Sequence, residues 1–184
     1  MNNGKKVLII GLTLLTGFTY SAGAVTKDMK KVVDEALEFS VKQSMSMFNE
    51  MKDQKGILPR TAKDGKMITC ESAWWTSGFY PGSLWYCYEY SNDPQVRAAA
   101  EEMTSRVEKQ KYTTSNHDVG FIINCSFGNG YRLTHNETYR EVIETAAKSL
   151  STRFHPVTRC TRSWNSKKWQ FSVIIDNMMN LELL

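Results

Sequence analysis

The strongest constraint on this chain is an alternation of two kinds of helical segment. Met29, Val32, Val33, Ala36, Leu37, Val41, Phe48 and Met51 recur at helical spacing, with Lys30, Lys31, Asp34, Glu35, Glu38 and Lys42 between them. One apolar stripe of this kind belongs to an amphipathic helix with a wet face. The stretch AWWTSGFYPGSLWYCYEYSND is instead apolar on nearly every side, so it must be buried almost all round, as an inner helix is. Asp93 and Pro94 fit the cap and first turn of a third helix, with a one-sided stripe of Val96, Ala99, Ala100, Met103 and Val107. Segment 119–126 is again apolar and inner. Thr134 and Glu137 fit a capping box ahead of Tyr139, Val142, Ile143, Ala146, Ala147 and Leu150, another one-sided stripe. DNMMNLELL reads as the start of a further helix.

Outer amphipathic helices alternating with inner apolar ones are the pattern of a toroid of helical hairpins, whose inner ends surround a pocket. The periodicity gives about six helices, half of a twelve-helix (α/α)6 barrel. An irregular all-α bundle is the other arrangement that this size allows. The first helix is expected to end near Lys55-Gly56, with Gly56 as its C-terminal cap and Pro59 preventing resumption. RTAKDGKMITCES reads as a polar connection. Residues 159–175, RCTRSWNSKKWQFSVII, read as a small hairpin or extended loop with Asn165-Ser166-Lys167 as a turn between Trp164 and Trp169.

The first residues bear on location. Lys5 and Lys6 precede a nearly unbroken apolar run over residues 7–15, and Ala22-Gly23-Ala24 supplies small residues for a signal peptidase. The run is too short for a spanning helix. The expectation is a signal peptide at residues 1–24 and an exported chain, periplasmic or secreted in a bacterium, from 25 to 184, with no membrane span. The formal net charge is +4, of which Lys5 and Lys6 supply two. With no basic stripe interleaved with aromatics, this does not argue for nucleic acid. Cys70, Cys87, Cys125 and Cys160 are spaced too widely for a zinc pattern and too sparsely for a disulfide scaffold. They read as buried thiols, with room for one disulfide whose pairing stays open.

Three clusters could carry chemistry. Trp74, Trp75, Phe79, Tyr80 and Trp85 crowd one segment with few charges, and flat aromatic faces stack on the apolar faces of sugar rings. Trp85 and Tyr86 read as core, whereas Trp75, just ahead of Ser77-Gly78 at a helix start, is available to a ligand. His117-Asp118 precedes the apolar run of 119–126, where Asp118 could be a simple N-cap or an active-site carboxylate at the mouth of a ring. Asp176-Asn177 follows Val173-Ile174-Ile175. A carboxylate in apolar company should resist ionising and be suited to donate a proton. Two acids at two helix starts facing one pocket suit glycoside chemistry.

The segments WWTSGFYPGSLWYCYEY, HDVGFIINCSFGNG and VIIDNMMNLELL, in this order and spacing, resemble the unsaturated glucuronyl hydrolases of glycoside hydrolase family 88, over their amino-terminal half. The related rhamnogalacturonyl hydrolases of family 105 match IIDNMMN less well. The resemblance implies an (α/α)6 barrel and removal of a 4,5-unsaturated uronic acid from lyase-generated glycosaminoglycan or pectin fragments. It also implies a general acid/base at Asp176 and an essential partner at Asp118, with no metal or organic cofactor. It places Trp75 at the sugar subsite, and His117, Phe79, Ser77, Asn177 and Trp164 are expected around the same sugar. Complete family members are longer, and their later helices supply the groups that meet the substrate carboxylate. Arg159 and Arg162 read as solvated loop cations rather than as substitutes for those groups. The competing reading is a non-catalytic glycan-binding remnant that keeps the aromatic floor without the chemistry.

Overall fold

The structure is a computed structural model that describes residues 27–184; the expected signal peptide lies outside the described residues. Helix α1 (Lys27–Met51) is braced along its wet side by the i,i+4 pairs Lys30–Asp34 and Lys31–Glu35. Its stripe meets the core only in the second half, where Met45, Met47, Phe48 and Met51 pack inward. Met29, Val32 and Val33 are exposed. The helix stops at Met51, earlier than expected, and Gly56 (φ +79°) belongs to the turn beyond it.

What closes α1 is a distant cation. The Arg106 guanidinium donates to the carbonyls of Gln54 (2.9 Å), Ile57 (2.9 Å) and Lys52 (3.1 Å), with longer contacts to Met51. A positive charge at a helix C-terminus satisfies carbonyls that have no intrahelical partner. Arg106→Met keeps much of the bulk and removes every donor. It is expected to cost roughly 1.5–3 kcal/mol, read as a lowered midpoint in urea unfolding; an unchanged midpoint would show that water replaces the guanidinium.

The polar connection is a β-hairpin: β1 (Ile57–Lys63) pairs antiparallel with β2 (Lys66–Glu71), and Pro59 sits within β1 beside a register shift. Asp64 (φ +50°) and Gly65 (φ +71°) form the turn. Two residues at positive φ are what a type I′ hairpin turn requires, and Asp-Gly is a common pair for it. After a short turn come α2 (Phe79–Ser91) and α3 (Pro94–Ser105), the latter capped as expected by Asp93, which accepts from the Gln95 N–H at 2.7 Å. Next is a run built of α4 (Val119–Ile123), a π turn (Asn124–Gly128) and α5 (Asn129–Thr134). Helix α6 (Glu137–Ser151) follows, and its cap is Asn136, which accepts from the Thr138 N–H at 3.0 Å. Thr134 is not part of a capping box, because the cap position falls on Asn136; the Thr134 hydroxyl donates to the Gly130 carbonyl and accepts from the Asn136 N–H.

Beyond α6, β3 (Phe154–His155) pairs with β4 (Cys160–Thr161), so the turn of this small hairpin lies at 156–159, with Arg159 at φ +53°, and not at 165–167. An extended loop then leads to α7 (Asn177–Asn180). Among the described residues no helix is long and apolar enough to cross a membrane.

The expected layering holds. Helix α2 packs against α1 and α3, and the α4–α5 run against α6. One core cluster gathers Met51, Tyr80, Leu84, Trp85, Ala99, Ala100 and Met103, and a second gathers Leu58, Val107, Val119, Ile122, Ile123, Phe127, Val142, Ala146 and Leu150. Trp85 is fully buried and donates to the Thr104 hydroxyl at 2.9 Å. Tyr86, read from sequence as core, is 57% exposed. The four cysteines are free; Cys87 alone is fully buried and Cys160 is exposed.

Glycines set the spacing of the inner layer. A Cβ at Gly78 would fall 2.3 Å from the Ile122 carbonyl oxygen, one at Gly82 2.6 Å from that of Cys125, and one at Gly120 2.2 Å from that of Asn180. Backbone therefore meets backbone where α4 packs against α2 and α7, and the starts of α4 and α7 are drawn to one mouth.

Candidate active site

Asp118 stands at the start of α4, yet its side chain makes no capping hydrogen bond. Asn116 does that work: its Oδ1 accepts from the Asp118 N–H at 3.0 Å, and the His117 carbonyl accepts from the Gly120 N–H at 3.0 Å. The carboxylate is thereby freed to face the mouth. Asp176 precedes α7 in the same way, with no side-chain cap. Asn180 steadies it, donating at 3.4 Å to Asp176 Oδ2 while its own Oδ1 accepts from the Phe121 N–H at 2.8 Å.

The two acids meet at a buried histidine. His117 Nε2 lies 3.3 Å from Asp176 Oδ2 and 3.6 Å from Asp118 Oδ1, and the His117 side chain is 1% exposed. Asn177 Nδ2 donates to the Thr161 carbonyl at 2.6 Å, which turns its Oδ1 towards His117. Nδ1 of His117 therefore carries the proton donated to Asn177, and Nε2 is the nitrogen presented to the carboxylates. The backbone is fixed too, since the His117 N–H donates to the Ser163 carbonyl at 2.8 Å.

The apolar triplet does not enclose Asp176 as the sequence suggested: Val173, Ile174 and Ile175 are all exposed, Ile175 at 86%. The carboxyl in the more withdrawn place is Asp118. Burial pushes it up from its ordinary value, His117 opposes the rise, the Asp176 carboxylate adds to it, and Arg153 opposes it.

A carboxyl with a raised pKa in the folded state contributes stability that is present below its ordinary value of 3.8 and lost as pH rises through the folded value. Asp118→Asn removes this group. It is therefore expected to raise stability at pH 7 by roughly 0.5–2 kcal/mol, with the gain vanishing towards pH 3. Thermal unfolding at both pH values checks this; a variant that is less stable at neutral pH contradicts the burial argument.

Aromatic rings cluster around α4 and His117. Trp75 meets Phe79 edge-on at 5.7 Å between centroids and Phe121 at 6.1 Å, while Trp164 lies edge-on to His117 at 5.8 Å. Trp75 and Trp164 are 43% and 40% exposed. Ser77, expected around the sugar, is fully buried and its hydroxyl donates to the Ser72 carbonyl at 2.7 Å. His117 and Asn177 are likewise buried and committed to the network. His117 and Asn177 support the site from behind.

Four supporting residues went unread in the sequence: Asn116, Phe121, Ser163 and Asn180. Asn177 and Asn180 carry a legible signal, two amides three residues apart in an apolar helix start. His117, Asp118 and Asp176 could also hold a metal ion, with one ligand atom from each lying within 4.8 Å of the others.

No family model matches the chain. It is 47% identical over 113 residues to an unsaturated glucuronyl hydrolase of Formosa agariphila, which covers 60% of this chain and 28% of that protein. It is 28% identical over 159 residues to an unsaturated chondroitin disaccharide hydrolase of Streptococcus pyogenes, covering 83% and 39%. The chain thus spans well under half the length of these relatives. Among solved structures, an unsaturated glucuronyl hydrolase specific for heparin superposes with a TM-score of 0.73 at 38% identity, over 82% of this chain and 42% of that one. The unsaturated glucuronyl hydrolase of Bacillus sp. GL1 superposes with a TM-score of 0.69 at 24% identity, over 80% and 41%. The fold they share is an α/α barrel, of which this chain forms part.

Proposed function

Because the chain belongs to the unsaturated glucuronyl hydrolases, we propose that it is the amino-terminal part of a glycosidase that removes a 4,5-unsaturated uronic acid from the non-reducing end of lyase-generated acidic oligosaccharides. The observation that carries this is the convergence of Asp118 and Asp176, from two separate helix starts, on one buried imidazole nitrogen.

The substrate's enol ether dictates the chemistry. The Asp176 carboxyl gives a proton to carbon 4, and the positive charge that forms at carbon 5 is shared with the ring oxygen. Asp176, now a carboxylate, takes a proton from water as the hydroxyl adds to carbon 5. The hemiketal opens by breaking its bond to the ring oxygen, and the hemiacetal left at carbon 1 releases the remaining glycan as an alcohol. No displacement takes place at the anomeric carbon, so the separation rule for retaining and inverting enzymes does not apply. Asp118 supports the cationic transition state and holds the sugar hydroxyls, while Trp75 and Phe79 offer the ring a flat face.

The test is incubation of the native protein with unsaturated disaccharides from chondroitin, hyaluronan, heparin and pectin, following loss of the enol-ether absorbance. Loss with at least one of them is expected, and it should persist after dialysis against a chelator. Binding without turnover would favour a glycan-binding remnant. We further propose an exported, periplasmic or secreted protein that is cleaved after Ala24; Edman sequencing of the mature protein should begin at Val25.

A further inference from the structure

A cavity of about 490 Å3, bordered by Arg153, Arg162, His155, Thr158, Asn165 and Gln170 among others, has no acidic residue in its lining. Arg153 is 7% exposed. Its Nε donates to the Arg162 carbonyl at 2.7 Å and its Nη1 to the Thr114 carbonyl, but Nη2 is buried without a partner. Arg162 is not the solvated loop cation that its sequence suggested: it is half-buried, and its Nε is buried without a partner.

Among the described residues neither arginine forms an ion pair. Burial and the neighbouring Arg162 charge hold the Arg153 guanidinium below its usual range, with the Asp118 carboxylate opposing them in part. Two adjacent guanidinium groups with unpaired buried N–H donors are costly in a folded protein. A planar fork of donors matches the oxygens of a carboxylate or sulfate better than any neutral ligand. The half-buried Arg162 side chain can turn to meet such a group at the cavity wall.

The cavity shares that wall with the candidate active site. Ser163, next to Arg162, accepts the His117 N–H, and Trp164 lies against the His117 ring.

We propose that this cavity is an oxyanion site, separate from the Asp118–Asp176 mouth, which takes the sulfate or carboxylate substituent of an acidic sugar. That the anion is carried on a sugar rests on the glycosidase reading; that the cavity binds an oxyanion does not.

The probe is inorganic sulfate, titrated calorimetrically into the native protein at constant ionic strength. Saturable binding is expected. It should be weakened about tenfold or more in Arg162→Gln, retained in Arg159→Gln, and intermediate in Arg162→Lys, which keeps the charge and loses the fork. Absence of saturable binding, or equal affinity in the native protein and both Arg162 variants, overturns the proposal. Should Arg162→Gln unfold, Arg162→Lys decides alone.

A second titration uses sulfated and unsulfated unsaturated disaccharides on Asp176→Asn and on the Asp176→Asn/Arg162→Gln double variant. If the glycosidase reading is at fault, neither sugar binds while inorganic sulfate still does. If the sugar is the carrier, a preference for the sulfated one is expected in the single variant and lost in the double. A preference left intact overturns the assignment of the sulfate to this cavity.

Discussion

Replacing Asp176 by Asn in the native protein is expected to lower turnover of an unsaturated disaccharide by roughly a factor of 10²–10⁴, the usual worth of a positioned general acid/base, with KM changed only a few-fold. The amide keeps the shape of the side chain, and Asn180 already donates to this position at 3.4 Å, so the pocket should survive. What disappears is the only proton that the mechanism can deliver to carbon 4. The loss should fall on kcat and kcat/KM alike, which marks an interaction made in the transition state. Steady-state kinetics by enol-ether absorbance supplies the measurement. A variant with near-native kcat would remove Asp176 from the role of acid and leave Asp118 as the candidate.

The largest expected effect outside the carboxylates comes from one methyl group. In Gly120→Ala the new Cβ would stand 2.2 Å from the Asn180 carbonyl oxygen and 2.5 Å from its Cα. Both atoms are backbone, so no side chain can swing aside, and α4 and α7 must separate. Overpacking of this sort costs about 1–3 kcal/mol or more, which lowers the melting temperature by about 2–4 °C per kcal/mol in a chain of this size. The separation also moves Asp176 relative to Asp118, and a displacement near 1 Å can cost about 10²-fold in rate. Stability and activity should therefore fall together. Gly65→Asn is the control: nothing lies within 4 Å of a Cβ there, and Asn tolerates the positive φ of the hairpin turn. Equal, near-native melting of both variants would show that the helices have slack at this seam.

Much of the fold could be read from the periodicity because a helix buried on one side and a helix buried all round leave different traces. The stripe of α3 and its Asp93 cap are such traces, and so is the all-round apolar character of α2. The β1–β2 hairpin escaped because its strands are only partly buried and its seven polar residues resemble a loop; only Asp64-Gly65 marked it. The end of α1 escaped for another reason. Its cap, Arg106, lies 55 residues away from Met51 in sequence, and no local pattern reports such a partner.

At the site, both acids were legible as charged residues at helix starts. Their environments were not. The Val173-Ile174-Ile175 triplet faces outward because the extended loop before α7 has no layer above it among the described residues, so the withdrawn carboxyl is Asp118. Ser77, His117 and Asn177 were read as sugar contacts because they adjoin the motifs, but adjacency in sequence does not say which side of a helix start faces the ligand.

Asn116 makes the charge at Asp118 a removable part. A carboxylate that also tied down the start of its helix could not be neutralised without loosening the helix, and loss of activity could then be mistaken for loss of fold. Here the cap and the acid are different side chains two residues apart, so the amide variant should keep its shape while losing its charge. Immobilised, Asp176→Asn would serve as bait: on the proposed glycosidase reading, a mixed lyase digest passed over it should leave behind an acidic sugar.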